Sequence, residues 1–175
     1  MKIFRLLFCS CAILLACSTF AQSENRAAVR KQAVDDAKTL FLAGDGDEQA
    51  ERKLTDANQN PRNTAEWHLE SANELLQMAF ALTREGKPER AGDLARRALQ
   101  HTRQAANRAD RPALAAAAEE TAAFIHERLL GDYAAAKAGY QSATQRHPQG
   151  GAARELDRLN KLQQEADRRT PAPRG

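Results

Sequence analysis

Beyond residue 17 this 175-residue sequence contains no cysteine. Cys9, Cys11 and Cys17 all fall in its first segment, so the rest of the chain can form neither a disulfide nor a thiolate metal site and must be held by packing alone. Aromatic residues make up only 5%, valine and isoleucine are scarce, and no apolar alternation of period two persists. Strands are therefore not expected. No apolar run after the first segment reaches bilayer-spanning length, so no integral membrane span is expected.

Groupings that carry chemistry are missing as well. The four histidines, His68, His101, His126 and His147, have no second histidine three or four residues away, and no HExxH occurs. There is no GxSxG or SxxK, and Gly150-Gly151 lacks a phosphate-loop context. Asp45-Gly46-Asp47-Glu48-Gln49 is similar to a calcium loop, but Ala50 stands where the sharp turn needs glycine and Lys53 where an oxygen ligand belongs. A helix stop followed by a new N-cap explains that run. The expectation is of no catalytic centre, no metal and no cofactor. A pocket-based enzyme or small-ligand sensor would have to rely on His126 with Glu127, or on Glu119 and Glu120.

What is present begins with an export leader. Lys2 and Arg5 precede the uncharged apolar run 6–16, and Thr19-Phe20-Ala21 before Gln22 has the small residues of a cleavage site. Residues 1–21 are expected to be a secretory signal peptide, leaving a soluble periplasmic protein. Leu14-Leu15-Ala16-Cys17 is similar to a bacterial lipobox, and the alternative is an outer-membrane lipoprotein anchored through Cys17, the one route to membrane contact. Taking Lys2 and Arg5 from the 26 basic residues leaves 24 against 23 acidic ones, a balance that provides no field for nucleic acid.

Helices can be placed by their stops. The first is expected over 24–43, ending at Gly44-Asp45-Gly46, and a short second one from Asp47 to before Asn58. Asn63 with Glu66 reads as a capping box for a third, whose broad apolar face includes Trp67, Leu75, Ala79 and Leu82. Trp67 is expected to pack. Gly86-Lys87 closes that helix and Pro88 opens a fourth, with Ala91, Ala95, Ala98, Thr102, Ala105 and Ala109 in one small-residue stripe. Pro112 opens a fifth carrying Leu114, Ala118, Thr121, Ile125 and Leu129. Gly131 ends it, Asp132 caps a sixth, and Pro148 to Gly151 ends that one. A seventh carries Leu156, Leu159 and Leu162 on one side of a charged remainder.

The chain repeats itself at an offset of 45 residues. Gly86 aligns with Gly131, Ala91 with Ala136, Ala98 with Ala143 and Gln100 with Gln145, while Leu69, Ala72 and Glu74 align with Leu114, Ala117 and Glu119. Internal repetition of this length marks a stacked helical array. At Gly131, Tyr133, Ala136, Tyr140, Ala143 and Pro148, and at Gly86, Ala91 and Ala98, the sequence resembles the tetratricopeptide repeat family. Phe124 and Glu127 depart from it, where a small residue and an aromatic would be usual, and 45 exceeds that family's spacing of 34. The expected architecture is all-α, a right-handed array of antiparallel hairpins with six to seven helices. It would comprise a degenerate N-terminal hairpin over 22–63, two repeat-like hairpins over 64–148, a capping helix over 149–168 and a disordered tail over 169–175.

The resemblance implies a groove lined by one side of each hairpin's first helix. Carried over, that side is Asn73, Leu76, Phe80 and Thr83 in one unit and Ala118, Thr121, Ile125 and Arg128 in the next. It also implies a scaffold or adaptor that binds an envelope protein or an extended peptide.

Overall fold

A computed structural model describes residues 28–44, 47–58 and 60–169. The fold is all-α, with no strand among the described residues. The expected leader, Cys17 and the tail beyond Arg169 lie outside the described residues. The chain divides into two compact units between Ala57 and Asn58. The boundary falls there rather than after 63 because the connecting loop is tied to the second unit. Asn58 Nδ2 donates to the Trp67 carbonyl at 2.7 Å and Asn60 Nδ2 to Glu70 Oε2 at 2.7 Å.

In the first unit, α1 is described over 28–43 and α2 spans Asp47–Asp56. Gly44 at φ +95° ends α1, and Lys53 pairs with Asp36 at 3.7 Å. Its buried apolar positions are Ala37, Phe41, Ala50 and Leu54.

The second unit opens with α3, Ala65–Arg84. Its cap is Thr64 and not Asn63: the Thr64 hydroxyl accepts from the Trp67 amide, while Asn63 takes a left-handed conformation at φ +65° that turns the chain into the helix. Asn tolerates that region better than Thr, whose branched Cβ clashes there, so the two neighbours divide the work in the only comfortable order. At the other end Gly86 sits at φ +71°, with its amide donating to Thr83 O and that of Lys87 to Leu82 O. This Schellman pair satisfies two carbonyls the helix leaves open.

Then follow α4, Pro88–Arg108, and α5, Pro112–Ile125, each with proline in its first turn. α5 widens into a π-helical turn over His126–Leu130 and stops at Gly131, φ +65°. α6 is Tyr133–Arg146, capped by Asp132 Oδ1 accepting from the Ala135 amide at 3.0 Å, and α7 is Ala152–Arg169.

Each of α4, α6 and α7 folds back antiparallel on its predecessor. His68 early in α3 meets His101 late in α4, and Arg146 at the end of α6 binds Glu119 in the first half of α5. Tyr133 at the start of α6 shares a surface pocket with Ala166 near the end of α7. Within this unit α3, α5 and α7 run parallel. Glu66 of α3 binds Arg111 at the head of α5, 45 residues on, and Phe80 meets Phe124, 44 residues on. Glu127 of α5 binds Arg158 of α7, 31 residues on.

The second unit's core is built largely of alanine. Ala91, Ala95, Ala98 and Ala105 of α4 are buried with Leu75, Leu82 and Leu94, and Ala136, Tyr140 and Ala143 of α6 pack with Ala116, Ala123, Ala152 and Leu159. α5 and α6 meet closely at Gly139, where a Cβ would stand 2.9 Å from that of Ala123. No helix among the described residues is long and apolar enough to cross a membrane.

Candidate protein-binding groove

α3, α5 and α7 open a groove of about 480 Å³ on one side of the second unit. Asn73 and Leu76 of α3, Thr121, Phe124 and Arg128 of α5, and Glu155 of α7 line it, with Tyr140 at its floor. The Phe124 ring stands edge-on to Phe80 with centroids 6.0 Å apart, and the Arg128 guanidinium lies over the Phe124 ring, 5.8 Å from its centroid. Apolar floor with a few placed polar groups is the usual make-up of a recognition site.

Of the residues expected at the groove, Asn73, Leu76, Thr121 and Arg128 line it, and Phe80 supports its wall through Phe124. Thr83 is exposed, its hydroxyl donating back to the Ala79 carbonyl. Ile125 and Ala118 do not belong: both are fully buried. Helical residues one position apart point about 100° away from each other, and the tilt of α5 presents Ala117, Thr121, Phe124 and Arg128 outward while Ala118 and Ile125 turn to the core. Phe124, a departure from the repeat pattern, thus lines the groove.

Of the positions expected in packing, Ala91, Ala98, Ala136, Tyr140 and Ala143 are buried. Gly86 and Gly131 have open space where a side chain would be, so backbone conformation, not room, is what each supplies. Pro148 is exposed and serves as a stop. Tyr133 is a correction: it is 60% exposed at the first residue of α6, beside Leu162, and packs no hairpin together.

Behind the floor lies a charged cluster that the sequence reading did not assemble. Glu127, its side chain 3% exposed, accepts from Arg158 Nη2 at 2.6 Å on each carboxylate oxygen, and from the Tyr140 hydroxyl at 3.3 Å. Arg128 Nε stands 3.1 Å from the same carboxylate. Burial, with the negative charge of Glu127 beside it, pushes the Tyr140 hydroxyl well above the usual phenol range. Donating to Glu127, and then to Glu155, raises Arg158 above the usual guanidinium range. Position 127, where the repeat pattern expects an aromatic, is filled instead by an ion pair reaching from α7. A lone Arg158 at i+3 from Glu155 gives no such signal in sequence.

A second pairing joins α3 and α4. His68 Nδ1 and His101 Nδ1 are 3.1 Å apart, one donating to the other, and Trp67 lies edge-on to His68 at 4.9 Å. Burial holds His68 down to about 4, and the neighbouring His101 and Arg108 act in the same direction. No group of three or more potential metal ligands occurs among the described residues.

Comparison with protein-family models, with curated proteins and with solved structures finds no match for this chain.

Proposed function

We propose that this chain is an exported, tetratricopeptide-like scaffold that binds an extended segment of another protein of the bacterial envelope. The observation that carries the reading is a coincidence of register. The residues repeated at an offset of 45 belong to helices that run parallel in space at an offset of 44 to 45, and between them opens a groove with an aromatic floor and a polar rim. An extended segment can place alternate side chains against Leu76 and Phe124 while Asn73, Thr121 and Arg128 hold its backbone and polar groups. The leader-like first 21 residues support export, and the absence of any catalytic grouping in the sequence favours binding over turnover.

The test is site-specific photocrosslinking in the native cell. A benzophenone amino acid at Asn73 is expected to capture one dominant envelope protein, and Phe124→Ala is expected to reduce that adduct at least tenfold. The same probe at Lys161, on the exposed outer side of α7, serves as the control. Equal adducts from both positions, or none from Asn73, would reject the reading.

A further inference from the structure

A separate cavity, of about 290 Å³, lies between α6 and α7. Tyr133 and Lys137, one helical turn apart on α6, form one wall, and Leu159, Leu162, Gln163 and Ala166 of α7 form the other. The groove proposed for protein binding shares none of these residues.

The apolar stripe of α7 outruns the core that covers it. Leu159 is 6% exposed, while Leu162, three residues on, is 50% exposed, and Tyr133 across the cavity is 60% exposed. Among the described residues of the second unit, only these two large hydrophobic side chains are exposed, and both border one cavity. Apolar residues scattered singly over a surface need no explanation, but a pair meeting at a concave site marks a place that receives something apolar.

The polar groups narrow what that is. Lys137 is half-buried, no acid lines the cavity, and no carboxylate pairs with Lys137 among the described residues. Its nitrogen, though unpartnered, still reaches solvent. A lysine so placed lays its methylenes along apolar surface and keeps its charge in water, where an anion can meet it. The Tyr133 hydroxyl is also without a partner among the described residues. The one remaining polar side chain, Gln163, already donates through Nε2 to Asp167 at 3.2 Å. A peptide strand would therefore find almost no partner here for its backbone, whereas an aliphatic chain needs none. The volume, at the lower end for small-molecule sites, suits one short chain and not a two-chain lipid. We infer that this cavity binds a medium-chain fatty acid, its carboxylate on Lys137 and Tyr133 and its alkyl chain along Leu159, Leu162 and Ala166.

The experiment is calorimetric titration of the full mature chain with acetate, hexanoate, octanoate and decanoate, each below its micelle-forming concentration. From hexanoate to decanoate, affinity is expected to rise about tenfold for every two methylenes added. Octyltrimethylammonium, with the same tail as a fatty acid and the opposite charge, is the control and is expected to bind at least tenfold more weakly than decanoate. Lys137→Gln is expected to weaken decanoate binding tenfold or more, and Lys137→Arg to keep most of it. Leu162→Asn, at an exposed side chain, is expected to weaken it as well. Lys161→Gln removes the same charge from the outer side of α7, lines neither cavity and is expected to leave binding unchanged. No heat from decanoate, acetate binding as tightly as decanoate, equal binding of octyltrimethylammonium, or full affinity in Lys137→Gln would each overturn the inference. Binding to phosphatidylglycerol vesicles with none to decanoate would overturn it too, and would assign the patch to a membrane surface.

Discussion

Arg158 of α7 holds both carboxylate oxygens of Glu127 through a single nitrogen, at 2.6 Å each, across 31 residues of sequence. The two partners are unequal: the Glu127 side chain is 3% exposed and that of Arg158 is 34% exposed. Losing the arginine leaves a carboxylate buried, whereas losing both leaves a gap that hydrocarbon can fill.

Arg158→Ala is expected to destabilise the second unit by about 3 kcal/mol, and Glu127→Leu in the same chain to recover most of that loss. Arg111→Ala, which breaks the exposed pair with Glu66, should cost under about 1 kcal/mol. Denaturant midpoints of the four proteins decide it. Equal losses from Arg158→Ala and Arg111→Ala would show that the buried cluster adds nothing.

Stability is expected to depend on pH through His68. Its folded value, about 4, lies below the ordinary 6.5, so the unfolded chain binds the extra proton between those two values. The contribution is complete above pH 6.5 and is lost as pH falls toward 4. Between pH 7 and pH 5 the loss amounts to about 2 kcal/mol. His68→Gln should flatten the urea midpoint over that interval relative to the wild type, and an unchanged slope would remove His68 from the account.

Gly139→Leu is expected to destabilise by at least about 2 kcal/mol, because the new side chain must displace Ala123, which a Cβ at 139 would already approach to 2.9 Å. Gly92→Leu, which meets only the end of the Arg96 side chain, should be neutral or slightly stabilising through helix propensity. Thermal melting of the two variants checks the difference.

The mature N-terminus is expected at Gln22. Mass spectrometry of the protein purified from its native cell should show that start, and Cys17→Ala should leave it unchanged. Incorporation of a palmitate analogue, lost in Cys17→Ala, would establish lipidation in its place.

The helix ends were largely legible because they depend on neighbours in sequence. Gly86, Pro88, Pro112, Gly131 and Asp132 each stand at the corner their backbone chemistry specifies. Thr64 was missed because two residues able to cap stand side by side, and only their φ angles separate the roles. The groove was half legible. A helical period identifies a stripe, but a rotation of one residue decides whether Ile125 or Phe124 meets solvent, and that rotation is set by the packing of α5 between α4 and α6. The clusters Glu127–Arg158 and His68–His101 were not legible at all, since each joins residues more than 30 positions apart through packing that no local pattern encodes.

Gly86 and Gly131 share a property that reaches beyond this fold: each has left-handed backbone geometry and empty space where a side chain would stand. What these corners refuse is therefore handedness and not bulk. An L-alanine there would strain the chain, while its mirror image would sit without conflict and limit the freedom of the unfolded polypeptide. A chemically assembled version carrying D-alanine at both bends would be a stiffer fold with its helix faces untouched.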